Sequence, residues 1–267
     1  MNKIICLVSM FLVICTSQAK APVTEHETDP VMLDLDPIMI KALRDTPHEF
    51  KVTSSGRYGP DGSLDNLLTQ VDFNTLIAKH DLSLFNGPML GAVTQDSAKF
   101  WVRTAGSARV QIIINDQLKS QTITTKQSDD FTGIADISGL TPNTKYKYYV
   151  LVNEKAYKNE AFHFVTYPTN KTKIKFNIAF GACSRYIPQN EKIWDKIAES
   201  GPLAYLALGD NVYIDATHQQ DTQRLHYYRR MLKKEYRDFI SQTSMYAVWD
   251  DHDFGLNDSF GGLTEQP

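Results

Sequence analysis

Tyr246-Ala247-Val248-Trp249-Asp250-Asp251-His252-Asp253-Phe254-Gly255 is an apolar run that breaks abruptly into three carboxylates around one histidine. The run reads as a short buried strand. Ionised carboxylates gathered at the end of such a strand are costly unless a positive charge sits among them, and a bound cation is the simplest one. The competing reading is a solvated acidic turn with a chance histidine. What the neighbouring strands carry at their ends decides between the two.

Working backwards, Leu203 to Leu208 is a short, nearly all-apolar strand that runs into Gly209-Asp210-Asn211-Val212-Tyr213-Ile214-Asp215. Ile174 to Phe180 reads as a strand interrupted by Lys175 and Asn177, and it leads into Gly181-Ala182-Cys183-Ser184. Between these strands, Gln189 to Ser200 reads as a helix. Gln219 to Gln242 reads as one long amphipathic helix, with Leu225, Tyr228, Leu232, Tyr236 and Phe239 on a stripe that suits a core better than a cofactor contact. Strand and helix alternate, so the strands are expected to be parallel, with their carboxyl ends along one edge where open α/β sheets bind ligands. Three ends that all carry metal-ligand residue types favour the cation.

Further upstream the rhythm is that of antiparallel strands. Ala98 to Arg103, Ala108 to Ile114 and Tyr146 to Leu151 are β-branched and aromatic runs with partial alternation, separated by turns at spacings that suit a sandwich. Leu140-Thr141-Pro142-Asn143-Thr144-Lys145-Tyr146 resembles the fibronectin type III signature, in which a tyrosine hydroxyl at a strand start closes the corner, here Tyr146. Such a motif speaks to fold and leaves function open. Thr166 to Thr172 has linker composition.

The expected organisation is therefore a signal peptide over residues 1–19, an extension over 20–85, a fibronectin III or immunoglobulin-like all-β sandwich over 86–168, and an incomplete α/β domain over 173–267. Within the extension, the segments around Ile38 to Leu43 and Leu67 to Ile77 have helical spacing, and His26 and His80 read as surface residues. The signal peptide rests on Lys3, the apolar Ile4 to Ile14 and the small residues Ser17 and Ala19 before a cleavage point. Ile14 stands where a lipobox before Cys15 needs a small side chain, which argues against lipidation. The mature chain is expected to be exported, to the periplasm or the extracellular space, with no transmembrane anchor. Of the three cysteines only Cys183 then survives, and metal ligation or burial as an inert thiol would each account for it. The formal net charge of -3 and the lack of any Lys/Arg cluster argue against a nucleic-acid-binding face.

Phe180-Gly181-Ala182-Cys183-Ser184, Leu208-Gly209-Asp210-Asn211-Val212-Tyr213 and Trp249 to Asp258 together resemble the alkaline phosphatase D (PhoD-like) family of metallophosphatases. The resemblance runs roughly from Phe85 to Gly262 and includes an immunoglobulin-like domain ahead of the catalytic one. It implies Fe3+ held by the Cys183 thiolate and the Tyr213 phenolate, Asp210 shared between metals, and Ca2+ beside it on Asp210 and Asp251. Asp250, Asp253, Asn257 and Asp258 are then either ligands or partners that orient them, and Asn211 and Asp215 are further such partners. His252 is implied as proton donor or phosphate contact, and Arg185 either pairs with the substrate phosphate or is an ordinary surface arginine. The implied activity is hydrolysis of phosphate esters by a metal-bound hydroxide. Family members run on past the equivalent of Pro267, so the chain is expected to be an N-terminal part of a longer enzyme. The alternative is a secreted binding module in which the sandwich does the work and the α/β segment binds no metal.

Overall fold

The structure is a computed structural model that describes residues 29–44, 67, 70–171, 173–186, 190–213, 220–254 and 258. The signal segment, His26, Asp215 and Asn257 lie outside the described residues.

Two helices come first, α1 (Pro30–Arg44) and α2 (Val71–Lys79). Pro30 occupies the first helical position, where its missing N–H costs nothing. Met32, Leu35 and Met39 recur at helical spacing and are fully buried in one cluster with Phe73 and Phe85. His80 is largely covered and bonds Asp34 through Nε2 at 2.6 Å, so it ties α2 to α1.

The sandwich comprises β1 (Leu84–Gly91), β2 (Ser97–Thr104), β3 (Ala108–Ile114), β4 (Leu118–Lys119), β5 (Ile123–Thr125), β6 (Thr132–Ser138), β7 (Lys145–Val152), β8 (Lys155–Tyr157) and β9 (His163–Val165). One sheet runs β1-β2-β6 and the other β4-β3-β7-β8, with β5 added to β3 and β9 to β7. All pairings are antiparallel. Phe100 and Val102 from the first sheet meet Val110, Ile112, Val150 and Phe164 from the second in a closed core. The corner motif folds as its sequence suggests, with the Tyr146 hydroxyl accepting the Thr141 N–H at 2.8 Å.

Three parallel strands follow, β10 (Ile178–Gly181), β11 (Ala204–Leu208) and β12 (Ser244–Val248), paired in that order with Phe180 opposite Leu206 and Leu206 opposite Tyr246. Their helices are α3 (Ile193–Glu199), α4 (Gln220–Leu232), α5 (Lys234–Gln242) and the short α6 (Asp251–Phe254). β10 begins later than its apolar pattern suggests, because Asn177 is used elsewhere: its side chain donates to the Ser200 carbonyl and its own carbonyl accepts the Leu203 N–H.

The single long helix expected over Gln219 to Gln242 is in fact two, broken at Lys233, whose backbone is extended (φ -60, ψ 127). The break has a packing cause. Leu225, Tyr228 and Leu232 belong to the core shared with α1 and α2, whereas Tyr236 and Phe239 turn towards Trp194 and Tyr205 under the parallel sheet. One stripe thus serves two cores, and a straight helix would reach only one.

The sandwich and the α/β layer are joined through polar contacts as well as apolar ones. Arg237 of α5 donates to the carbonyls of Gly87 and Leu84 at 2.8 and 2.9 Å, and the Tyr148 hydroxyl donates to the Ser241 carbonyl at 2.7 Å. Arg103 lies between the rings of Phe85 and Tyr228 while pairing with Asp130. The parallel sheet is covered on the side of Tyr205 and Ala207. Its opposite side exposes Ile178, Phe180, Leu208, Tyr246 and Val248, the last at 58%.

Candidate metal centre

Parallel pairing brings the ends of all three strands to one edge, and the candidate ligands stand just beyond them. Cys183 follows β10, Asp210 follows β11, and Asp251 and His252 open α6 after β12. Gly209 adopts φ +97, and a Cβ there would lie 2.7 Å from Asp250 Cβ, so the Gly-Asp pair is required by the close passage of the third strand end. Cys183 and Asp210 both adopt left-handed backbone conformations, at φ 54 and 51. Non-glycine residues rarely do this except where the surroundings impose it, and such positions concentrate at functional sites.

Ligand atoms of Asp210, Asp251 and His252 lie within 4.8 Å of one another. The Tyr213 hydroxyl donates to Asp210 Oδ2 at 2.9 Å. The tyrosine ring lies 4.3 Å from that of His252, centre to centre. Burial first, then the hydrogen bond to Asp210 and the neighbouring Cys183, raise the Tyr213 phenol well above its usual range, so without a cation it keeps its proton. Cys183 is an exposed thiol rather than a buried inert one.

Asp210 supplies the test of fit. It is only 8% exposed, and its Oδ1 is buried with no hydrogen-bond partner. A buried carboxylate oxygen left unsatisfied is costly, and a cation among the Asp210 and Asp251 carboxylates and the His252 imidazole would satisfy it; the Cys183 thiol stands outside that group, beside the Tyr213 hydroxyl. The donor set therefore fits a metal ion.

The structure separates the remaining candidates. Asp253 is buried and acts as a brace, accepting the Val212 N–H at 3.0 Å, the Asn211 side-chain amide at 3.1 Å and the Asp250 N–H at 3.0 Å. Desolvation raises its pKa although these donors oppose the shift. Asn211 also donates to the Val248 carbonyl at 2.8 Å, so it joins the second and third strand ends rather than facing outward. Asp250 accepts the Asp251 N–H at 2.9 Å, and the Asp258 N–H donates to Asp251 Oδ2. Arg185 is half-buried on the loop that follows Cys183.

Sequence reasoning missed Arg230 entirely. Its guanidinium is buried on α4 and donates to the Ser184 and Asn211 carbonyls while pairing with Glu191. The one sequence signal is an arginine two places after Tyr228 and two before Leu232, on a helix whose stripe is core.

The fold and this cluster define a β-sandwich followed by a partial α/β unit, with a candidate cation-binding group at the strand edge. Comparison with known proteins bears on the fold. A family model described as a domain of unknown function, DUF7800, matches residues 81–168. A solved structure described as "Structure of PhoD" superposes with a TM-score of 0.55 at 18% identity, covering 64% of this chain and 39% of its own. The chain thus spans about two fifths of that structure's length. A sensor domain of the anti-sigma factor RsgI4 from Pseudobacteroides cellulosolvens matches 31% of this chain at 19% identity, with a TM-score of 0.24. A computationally redesigned β-sandwich protein matches 30% at 13% identity, with a TM-score of 0.22. No curated protein matches. Among the described residues, no helix is long and apolar enough to cross a membrane.

Proposed function

We propose that this chain forms the metal-binding part of an exported phosphoesterase of the alkaline phosphatase D type, acting on phosphate esters. The observation that carries this reading is the buried, unpartnered Asp210 Oδ1 at the convergence of three strand ends. Cys183 and Tyr213 suit Fe3+, and Asp210 is the ligand the two ions would share. Ca2+ takes oxygen donors, so Asp210 and Asp251 are the residues that would hold it. His252 is buried and held against Tyr213, which suits a ligand better than a mobile proton donor. Bound cations would supply Lewis acidity at the phosphoryl oxygens and water of lowered pKa. The chain's own residues hold the ligands in place, and Arg185, on the loop after Cys183, is the candidate contact for the substrate phosphate. Export rests on the charged, then apolar, then small-residue start of the sequence.

The test is metal content and turnover of the intact protein. Iron and calcium should co-purify with it, p-nitrophenyl phosphate or its diester should be cleaved, and Cys183→Ser should weaken the visible charge-transfer band. A colourless, metal-free protein without turnover would instead favour a secreted binding module.

A further inference from the structure

The three strand ends are laced together from below, and one helix holds both laces. Between the first and second ends, the Cys183 N–H donates to the Gly209 carbonyl at 3.3 Å and the Ser184 N–H to the Asp210 carbonyl at 2.9 Å. Arg230 completes this seam. One of its terminal nitrogens, Nη1, donates to the carbonyls of Ser184 and Asn211, the residues that immediately follow Cys183 and Asp210. Between the second and third ends the lace is Asp253, and the Tyr227 hydroxyl reaches its Oδ1 at 3.4 Å. Tyr227 and Arg230 lie three residues apart, hence on one face of α4.

Arg230 is an expensive choice for such a place. It is 3% exposed, lies about equally far from the rings of Trp194 and Tyr236 (5.1 and 5.0 Å), and has Glu191 as an ion-pair partner at 3.3 Å. An apolar side chain of similar volume would fill the space between two aromatic rings at no cost in desolvation. What it could not do is offer donors to carbonyls on two separate loops at once, which Nη1 of a guanidinium can do while Nη2 faces Glu191.

We propose that Arg230 is the positioning residue of the metal centre, and that it sets the spacing of the Cys183 and Asp210 loops. The inference rests on the reading of this strand edge as a metal site. Arg230 touches no candidate ligand side chain. It acts through the main chain just past each one, where a shift of the carbonyl turns the left-handed residue before it.

Arg230→Lys keeps the positive charge but leaves one nitrogen where two are needed, so it cannot face Glu191 and hold both carbonyls in the same geometry. In the intact protein, titration with Co2+ followed by its visible spectrum should show affinity weakened by about ten- to a hundredfold, the range for loss of a group that orients ligands. Hydrogen exchange at the Cys183 and Ser184 amides should quicken. Leu225→Ala, in the separate core above, serves as the stability control and should lower Tm while leaving Co2+ affinity within about twofold. If Arg230→Lys binds Co2+ as tightly as the parent, or Leu225→Ala weakens it as much, the proposal is overturned. If the parent binds no Co2+ yet the two amides still exchange faster in Arg230→Lys, positioning of the loops stands and the metal reading fails. If the parent binds none and exchange is unchanged, both fail. Should Arg230→Lys not fold, the charge-balanced pair Arg230→Gln with Glu191→Gln carries the same test.

Discussion

The sandwich and the parallel sheet stand side by side in one chain and solve opposite problems. In the sandwich, both inner faces meet and Phe100, Val110, Ile112 and Phe164 are sealed from water. Among the described residues the parallel sheet is covered on one side, shows Phe180 and Val248 on the other, and carries polar residues at one edge. A parallel sheet is ordinarily covered on both faces. The contrast separates two uses of buried surface: the sandwich carries a closed core, and the sheet carries an edge where a buried carboxylate oxygen of Asp210 has no hydrogen-bond partner.

The largest effect should come from the closed core. Phe100→Ala removes a fully buried ring that contacts Tyr148 and Phe164, and should cost about 3–5 kcal/mol in denaturant unfolding. A loss below about 1 kcal/mol would mean that this core is less closed than it looks. Asp210→Asn tests the opposite region. It should cut turnover of the intact protein by at least about a hundredfold while leaving the metal-free form as stable as before or more so, because it removes a buried unpaired charge. A matched fall in stability would place Asp210 with the structural residues and erase the contrast.

His226, on α4 between the two regions, sharpens it by pH. Burial, with Arg229 adding to it, lowers its pKa to about 3. The unfolded chain takes up this proton below about pH 6.5 and the folded chain does not, so stability should fall as pH drops from there towards 3. His226→Gln should flatten that part of a Tm against pH plot, and an unchanged slope would show that the ring is already hydrated. The smallest effect belongs to the uncovered face. Val248→Thr, on an exposed β-branched position, should change stability by no more than about 0.5 kcal/mol while reducing dye binding to the apolar surface.

The parts of this molecule that were legible in the sequence are those written locally. The Tyr146 corner needs only a few neighbouring residues, and the strand ends announce themselves where an apolar run meets Asp210 or Asp251. The grouping of Asp210, Asp251 and His252 followed from topology once the strands were taken as parallel. What could not be read is tertiary. Asp253 and Asp251 look alike in sequence, and only the surrounding N–H groups make one a brace and leave the other facing the cluster. Helical spacing placed Leu225 and Phe239 on one stripe but could not show that they enter different cores, so the break at Lys233 was invisible. Arg230 was hidden for the same reason, since periodicity treats an arginine within a core stripe as an interruption.

The left-handed backbone at Cys183 and Asp210 has an evolutionary consequence. Cys183 would be more comfortable as glycine, since a side chain without local hydrogen bonding pays about 1–2 kcal/mol there, whereas aspartate and asparagine are among the few residues that tolerate the conformation of position 210. In a lineage without use for this edge, Cys183→Gly would relieve backbone strain and Asp210→Asn would remove a buried charge while keeping an acceptor for the Tyr213 hydroxyl. Decay of function should therefore leave its earliest mark at these two codons, ahead of any change in the sandwich.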